Sequence, residues 1–173
     1  MMSASLREKY DVLFMDCPPG ISLLSENVLR AADAVIIPML PSPLSVRMLT
    51  QLREFIRDEG WSDIVILPFF SMVDRRKALH QAVIGSVRTH VLSMLATEIR
   101  YASEIERMTV RRAPLPAYAP RSVEGQMYSA LWSEIAGRIG MTIPREQNPA
   151  PAPPGAPLAQ QPTEIAASSL DLG

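Results

Sequence analysis

An apolar run that ends on a carboxylate carries the clearest chemistry in this sequence: Tyr10-Asp11-Val12-Leu13-Phe14-Met15-Asp16-Cys17-Pro18-Pro19. Val12 to Met15 reads as a buried strand, and the Pro18-Pro19-Gly20 breaker turns the chain into a loop. Such a strand delivers Asp16 to the C-terminal edge of a sheet, where open α/β sheets bind ligands. A carboxylate there can hold Mg²⁺ through water and sense the terminal phosphate of a nucleotide. It can equally cap the turn that follows, a use strand-end aspartates have in many α/β proteins.

Other reactive side chains are weighed in the same way. Arg75, Arg76, Arg88, Arg100, Arg107, Arg111 and Arg112 could form a surface that neutralises nucleic-acid phosphates, with Arg100 and Arg111 as the selected contacts. The competing reading pairs these arginines with Glu98, Glu104 and Glu106, and it is favoured because no run of bases with interleaved aromatics occurs. His80 and His90 stand ten positions apart on one expected helix, too far for a metal-binding pair one turn apart, and no third ligand accompanies them. Cys17 is the only cysteine. Alone it excludes an intrachain disulfide, a zinc cluster and a redox pair, and with no base fixed beside it the thiol receives no nucleophilic role.

These residues need a scaffold, and the sequence describes one. At 173 residues, 47% hydrophobic and 20% charged, the chain can bury one core. A formal net charge of −1 gives no global attraction to nucleic acid or acidic lipid. Without a signal-like apolar run or a stretch long enough to span a membrane, the expectation is a cytoplasmic protein. After the first strand, apolar runs at Ala34 to Ile37 and Ile64 to Phe70, and a weaker one at Leu95 to Ile99, predict further strands. Between them Leu44, Met48, Leu52, Phe55 and Ile56 repeat with helical period, as do Leu79, Val83, Val87 and Val91. A last helix should start after Ser122, carry Val123, Met127, Leu131, Trp132, Ile135 and Ile139 on one face, and end near Gly140. Strands alternating with helices predict an α/β fold with a mostly parallel sheet covered on both faces. One domain over residues 1–143 is expected, followed by a disordered Pro- and Ala-rich tail at 144–173.

Several blocks together carry a family resemblance. Asp16-Cys17-Pro18-Pro19, Asn27, Ala31-Ala32-Asp33 and Val35-Ile36-Ile37-Pro38 resemble the switch II segment and following strand of ParA, MinD and Soj-type partition ATPases. Ser71-Met72-Val73-Asp74-Arg75-Arg76 is similar to the segment that flanks the adenine in that family. Ile99-Arg100-Tyr101 with Glu104 is similar to a later strand and loop, and Ala119-Pro120-Arg121-Ser122 to the purine-side loop. The resemblance runs from Tyr10 to about Ile139 and implies a P-loop NTPase-like fold. It also implies an ATP- and Mg²⁺-dependent dimer switch for plasmid or chromosome partitioning, with non-specific DNA binding and a ParB-like partner. On this reading Asp16 is the switch II aspartate, holding Mg²⁺ through water. Pro18 lies by the nucleotide, and Met72, Asp74, Pro120 and Arg121 lie around the base and ribose. The basic terminal helix that takes MinD relatives to membranes has no counterpart here, so no membrane role is expected.

One departure is as informative as the match. Family members carry a Lys-Gly-Gly-x-Gly-Lys-[Ser/Thr] loop whose amides and lysines grip the phosphates. Here the lysines are Lys9 and Lys77, and neither follows a glycine. The family's switch I aspartate would fall upstream of Met1. The expectation is therefore a truncated, catalytically impaired ParA-like chain, whether by a misplaced gene start, a truncation or a split gene. The alternative is a non-enzymatic remnant or scaffold that binds a full-length relative or a partition partner. A receiver-like phosphoacceptor domain using Asp16 fits the blocks after Asp33 poorly. The strand bearing the phosphate loop would normally lie between Val12–Met15 and Ala34–Ile37. Without it those strands either close on each other or leave two apolar edges open.

Overall fold

The computed structural model describes residues 8–17, 23–91 and 93–141. Its element order is α1 (Leu23–Ala31), β1 (Ala34–Met39), α2 (Pro43–Asp58), β2 (Val65–Phe70), α3 (Ala78–His90), α4 (Ser103–Arg111), α5 (Leu115–Tyr118) and α6 (Val123–Arg138). The expected tail and Pro18 lie outside the described residues. β1 and β2 pair in parallel, from Ala34 opposite Val65 to Met39 opposite Phe70, and α2 is the crossover between them. The fold is α/β with a parallel sheet and covering helices, consistent with a P-loop NTPase-like fold. Among the described residues no helix is long and apolar enough to cross a membrane.

Period-two alternation sorts the strand side chains between two cores. Ile37, Met39, Ile66 and Phe70 face a cluster built with Leu49 of α2 and Val83, Ile84 and Val87 of α3. Ala34, Ile36, Leu67 and Phe69 face a second cluster with Leu131 and Ile135 of α6. A proline in a strand must sit where no ladder N–H is needed. The carbonyls of Asp33 and Met39 accept bonds from Val65 and Ser71, so in β1 the odd-numbered residues face β2 and Pro38 faces away from it. In β2, Pro68 also faces outward, and its carbonyl accepts the Leu95 N–H at 2.8 Å.

The helix caps follow the sequence. Ser42 caps α2 by accepting the Ser45 N–H at 3.2 Å, and Ser122 caps α6 by accepting the Gly125 N–H at 2.9 Å. Gly140, at φ +71°, takes the left-handed turn after α6 that a glycine permits. The α2 stripe is shifted in phase from the expected one, while those of α3 and α6 keep theirs. In α2 the buried positions are Leu49 and Ile56, while Leu44 and Met48 are exposed. Leu79 and Val123, each in the first turn of its helix, are exposed as well.

Two expected strands take another form. Residues 11–17 run without ladder pairing, and Leu13 and Phe14 are exposed. Among the described residues this segment does not close on β1, and both line a cleft of about 870 Å³. Leu95–Ile99 forms a bulged connection. The N–H groups of Leu95 and Ile99 reach Pro68 and Phe70, so four steps on one side match two on the other. The intervening N–H groups of Ala96 and Thr97 instead donate to the Glu134 carboxylate at 2.7 and 2.9 Å, and the Thr97 hydroxyl donates to it at 2.8 Å.

Glu134 thereby ties the bulge to α6 across 38 positions of sequence. Partial burial pushes its pKa up, but the two backbone bonds and the hydroxyl bond outweigh burial and leave it below the ordinary glutamate value. A lowered pKa stabilises the fold above the ordinary glutamate range, and that contribution is lost as pH falls through the range and below it. Glu134→Ala is expected to cost about 1–2 kcal/mol at neutral pH, since two backbone donors lose their acceptor. Urea midpoints of the two proteins at pH 7 and pH 3 check this: the gap should narrow in acid.

Candidate functional site

Asp16 is exposed at the cleft beside β1, on the segment the sequence singled out. The cleft's charged lining is Asp11, Asp16 and Asp33; the rest is neutral, largely apolar, and includes Leu52 of α2 and Trp132 and Ile135 of α6. Phe14 closes toward α6, its ring centroid 5.9 Å from that of Trp132. Cys17 is exposed.

One carboxylate suits Mg²⁺, which commonly takes one or two protein carboxylates and completes its shell with water and phosphate oxygens. Among the described residues no group of three or more His, Cys, Asp or Glu gathers to hold a metal alone. Asp11, Asp16 and Asp33, with no cation among the described lining residues, give this cleft a negative potential.

The expected base-side residues follow β2 and precede α6. Met72 is half exposed and takes φ 55°, a left-handed conformation uncommon outside glycine. The next residue, Val73, is in parallel bridge pairing with Arg100. The Asp74 carboxylate is engaged by its own loop, accepting the Arg76 backbone N–H at 3.0 Å and two bonds from the Arg76 guanidinium at 3.0 and 3.1 Å. The bonds from the Arg76 side chain, then its backbone, hold the Asp74 pKa down at about 2. The Asp74 N–H donates to His80 Nδ1 at 3.1 Å, which gives that histidine a structural role. Pro120 and Arg121 are exposed in the turn before α6.

A second cleft, about 360 Å³, brings the segment after β2 to the first turns of α6: Arg75, Arg88, Glu98 and Arg100 line it together with Val123 and Gln126. None of Met72, Asp74, Pro120 and Arg121 is among its lining residues. Arg88 donates to Glu98 at 2.7 Å, and Arg75 lies 3.6 Å from the other oxygen of that carboxylate. Glu104 pairs with Arg107, as the paired-arginine reading expects, but Glu106 accepts from the Tyr101 hydroxyl at 3.0 Å. Arg100 is exposed, and Arg111 stacks over the Tyr118 ring at 4.7 Å from its centroid.

With this geometry in view, the chain can be set beside its relatives. A family model described as an AAA domain matches residues 2–59. The "Chromosome-partitioning ATPase Soj" of Treponema pallidum is 28% identical over 142 residues, covering 79% of this chain and 56% of the relative. The "Sporulation initiation inhibitor protein Soj" of Bacillus subtilis is 28% identical over 137 residues, or 76% of this chain and 54% of that protein. The "Virulence plasmid ParA family protein pGP5-D" of Chlamydia psittaci is 23% identical over 135 residues, or 78% and 52%. The chain is similar to ParA- and Soj-type proteins over most of its length.

It spans about half the length of these curated relatives. Sequence reasoning missed Glu134, because no local pattern marks a carboxylate whose partners lie 37 and 38 positions away.

Proposed function

We propose that this chain works in the ATP-dependent partitioning of a plasmid or chromosome in the cytoplasm, with Asp16 in the switch II role. Its own residues supply the switch side of a nucleotide site but not a phosphate cradle, and the 173-residue chain does not hydrolyse ATP unaided. Met72, Asp74, Pro120 and Arg121, with Pro18, contribute to the base side when the site is complete. Homodimerisation, a ParB-like partner and non-specific DNA, met by Arg100 and Arg111, belong to the same reading. What carries it is the similarity to a chromosome-partitioning ATPase over 79% of the chain. A second reading, a scaffold without catalysis, is favoured by the anionic lining of the first cleft.

Replicon inheritance in host cells tests both. Deleting the gene is expected to raise replicon loss, the wild-type gene to restore inheritance, and Asp16→Ala to fail to restore it. Rescue by Asp16→Ala would select the scaffold, and unchanged inheritance after deletion would sink both readings.

A further inference from the structure

The loop between β2 and α3 is held by bonds that each have a named partner. The Val73 N–H reaches the Ile99 carbonyl at 3.0 Å, and the Val73 carbonyl accepts from Tyr101 at 3.1 Å. The Asp74 carbonyl accepts the Lys77 N–H at 3.1 Å, and the Asp74 carboxylate accepts the Arg76 N–H at 3.0 Å. The Asp74 N–H has an acceptor of another kind, the ring nitrogen Nδ1 of His80 at 3.1 Å. A backbone N–H only donates, so Nδ1 must offer its lone pair and the ring proton sits on Nε2. That bond exists only while His80 is neutral.

A proton on Nδ1 would set two donors against each other at a partly buried ring. The charged groups that the loop and the segment bridged to it bring to this end of α3 are Asp74, Arg75, Arg76 and Lys77, with Glu98 and Arg100 across from Val73. Both carboxylates are already held by arginines, Asp74 by Arg76 and Glu98 by Arg75 and Arg88. A charged ring would therefore join a surrounding richer in cations than in carboxylates. Met72, two residues before Asp74, is kept at φ 55°, a conformation that a non-glycine residue holds only where its surroundings impose it. Its side chain is half exposed, so little packing opposes a change there. We propose that His80 is a proton-operated latch on the loop between β2 and α3. Neutral, it fixes Asp74; protonated, it lets go, and the turn at Met72 relaxes while β2 and α3 stay folded. The proposal stands on the loop's hydrogen bonds and does not depend on nucleotide.

Residue-resolved NMR of the full chain tests it. At about pH 8 the His80 ring nitrogens should show the Nε2–H tautomer, and the Asp74 amide should exchange slowly relative to an unstructured chain. On lowering the pH to about 5, protection at Asp74 should fall at least about tenfold with the midpoint of His80's own titration, while Val83 and Val87 on the buried face of α3 keep theirs. His90 is read separately, at the far end of α3, where its Nδ1 lies 2.7 Å from the Ser86 carbonyl. His80→Asn puts an oxygen acceptor where Nδ1 lies and has no proton to gain, so Asp74 should stay protected at both pH values. His80→Ala should leave Asp74 unprotected at both. Constant protection at Asp74 while His80 titrates would overturn the proposal, as would a His80→Asn protein that keeps the wild-type pH dependence. Loss of protection at Val83 and Val87 together with Asp74 would overturn it as well, because acid would then open the core and not the loop alone.

Discussion

Phe70→Ala is expected to remove about 3–5 kcal/mol of stability, the range for emptying a large aromatic site in a core. Phe70 is 1% exposed, ends β2, and packs against the cluster shared by β1, α2 and α3. Its carbonyl also receives the Ile99 N–H at 2.8 Å, so a collapse around the cavity would pull on the bulged connection. For a protein of this size the loss corresponds to a melting temperature lower by roughly 10 °C. Calorimetry or circular dichroism melts would measure it. Leu44→Ala serves as the contrast: Leu44 is 69% exposed, and its truncation should change stability by no more than about 0.5 kcal/mol. Equal effects at the two sites would mean that the placement of the core is wrong.

Gly125→Ala should destabilise the protein even though helix propensity argues the opposite. Glycine to alanine inside a helix ordinarily gains up to about 1 kcal/mol. At Gly125 the added methyl would collide with the Ala119 carbonyl and press on the Ser122 hydroxyl, the atom that caps α6. Backbone cannot yield as a flexible side chain can, so a net loss of about 1–3 kcal/mol is expected. Gly137, in the same helix, has nothing within 4 Å of the equivalent position. Gly137→Ala should therefore gain by the propensity rule, up to about 1 kcal/mol. Urea midpoints of the two variants are predicted to move in opposite directions. A gain at both would remove the close contact that positions the Ala119–Ser122 turn.

The parts of the fold that could be read in advance are those set by local pattern. β1 and β2 were expected at Ala34 to Ile37 and Ile64 to Phe70 and occur at Ala34–Met39 and Val65–Phe70, because apolar runs bounded by breakers mark buried strands. Ser122 announces α6 by its capping chemistry. What could not be read depends on distant partners. Val12 to Met15 has a strand's composition, yet a strand is defined by its neighbour, and across the cleft there is none within bonding reach among the described residues. Leu95 to Ile99 looks like a strand until Glu134 takes its central N–H groups. The arginines were legible in part: the favoured pairing with Glu98 and Glu104 occurs for Arg75, Arg88 and Arg107, whereas the bond of Arg76 to Asp74 was not foreseen. Asp16 was legible because a carboxylate after an apolar run needs no distant partner to be noticed. Its immediate setting, with Asp11 and Asp33 also lining the cleft, was not.

That setting leads to the most direct measurement, isothermal titration of Mg-ATP into the purified 173-residue chain. The three carboxylates of the cleft and its lack of a lining cation predict no binding, or binding weaker than about 100 μM, equivalent to roughly −5.5 kcal/mol. A folded protein that takes up Mg-ATP more tightly than this would contradict the account, because it would require a phosphate cradle that the described residues do not form.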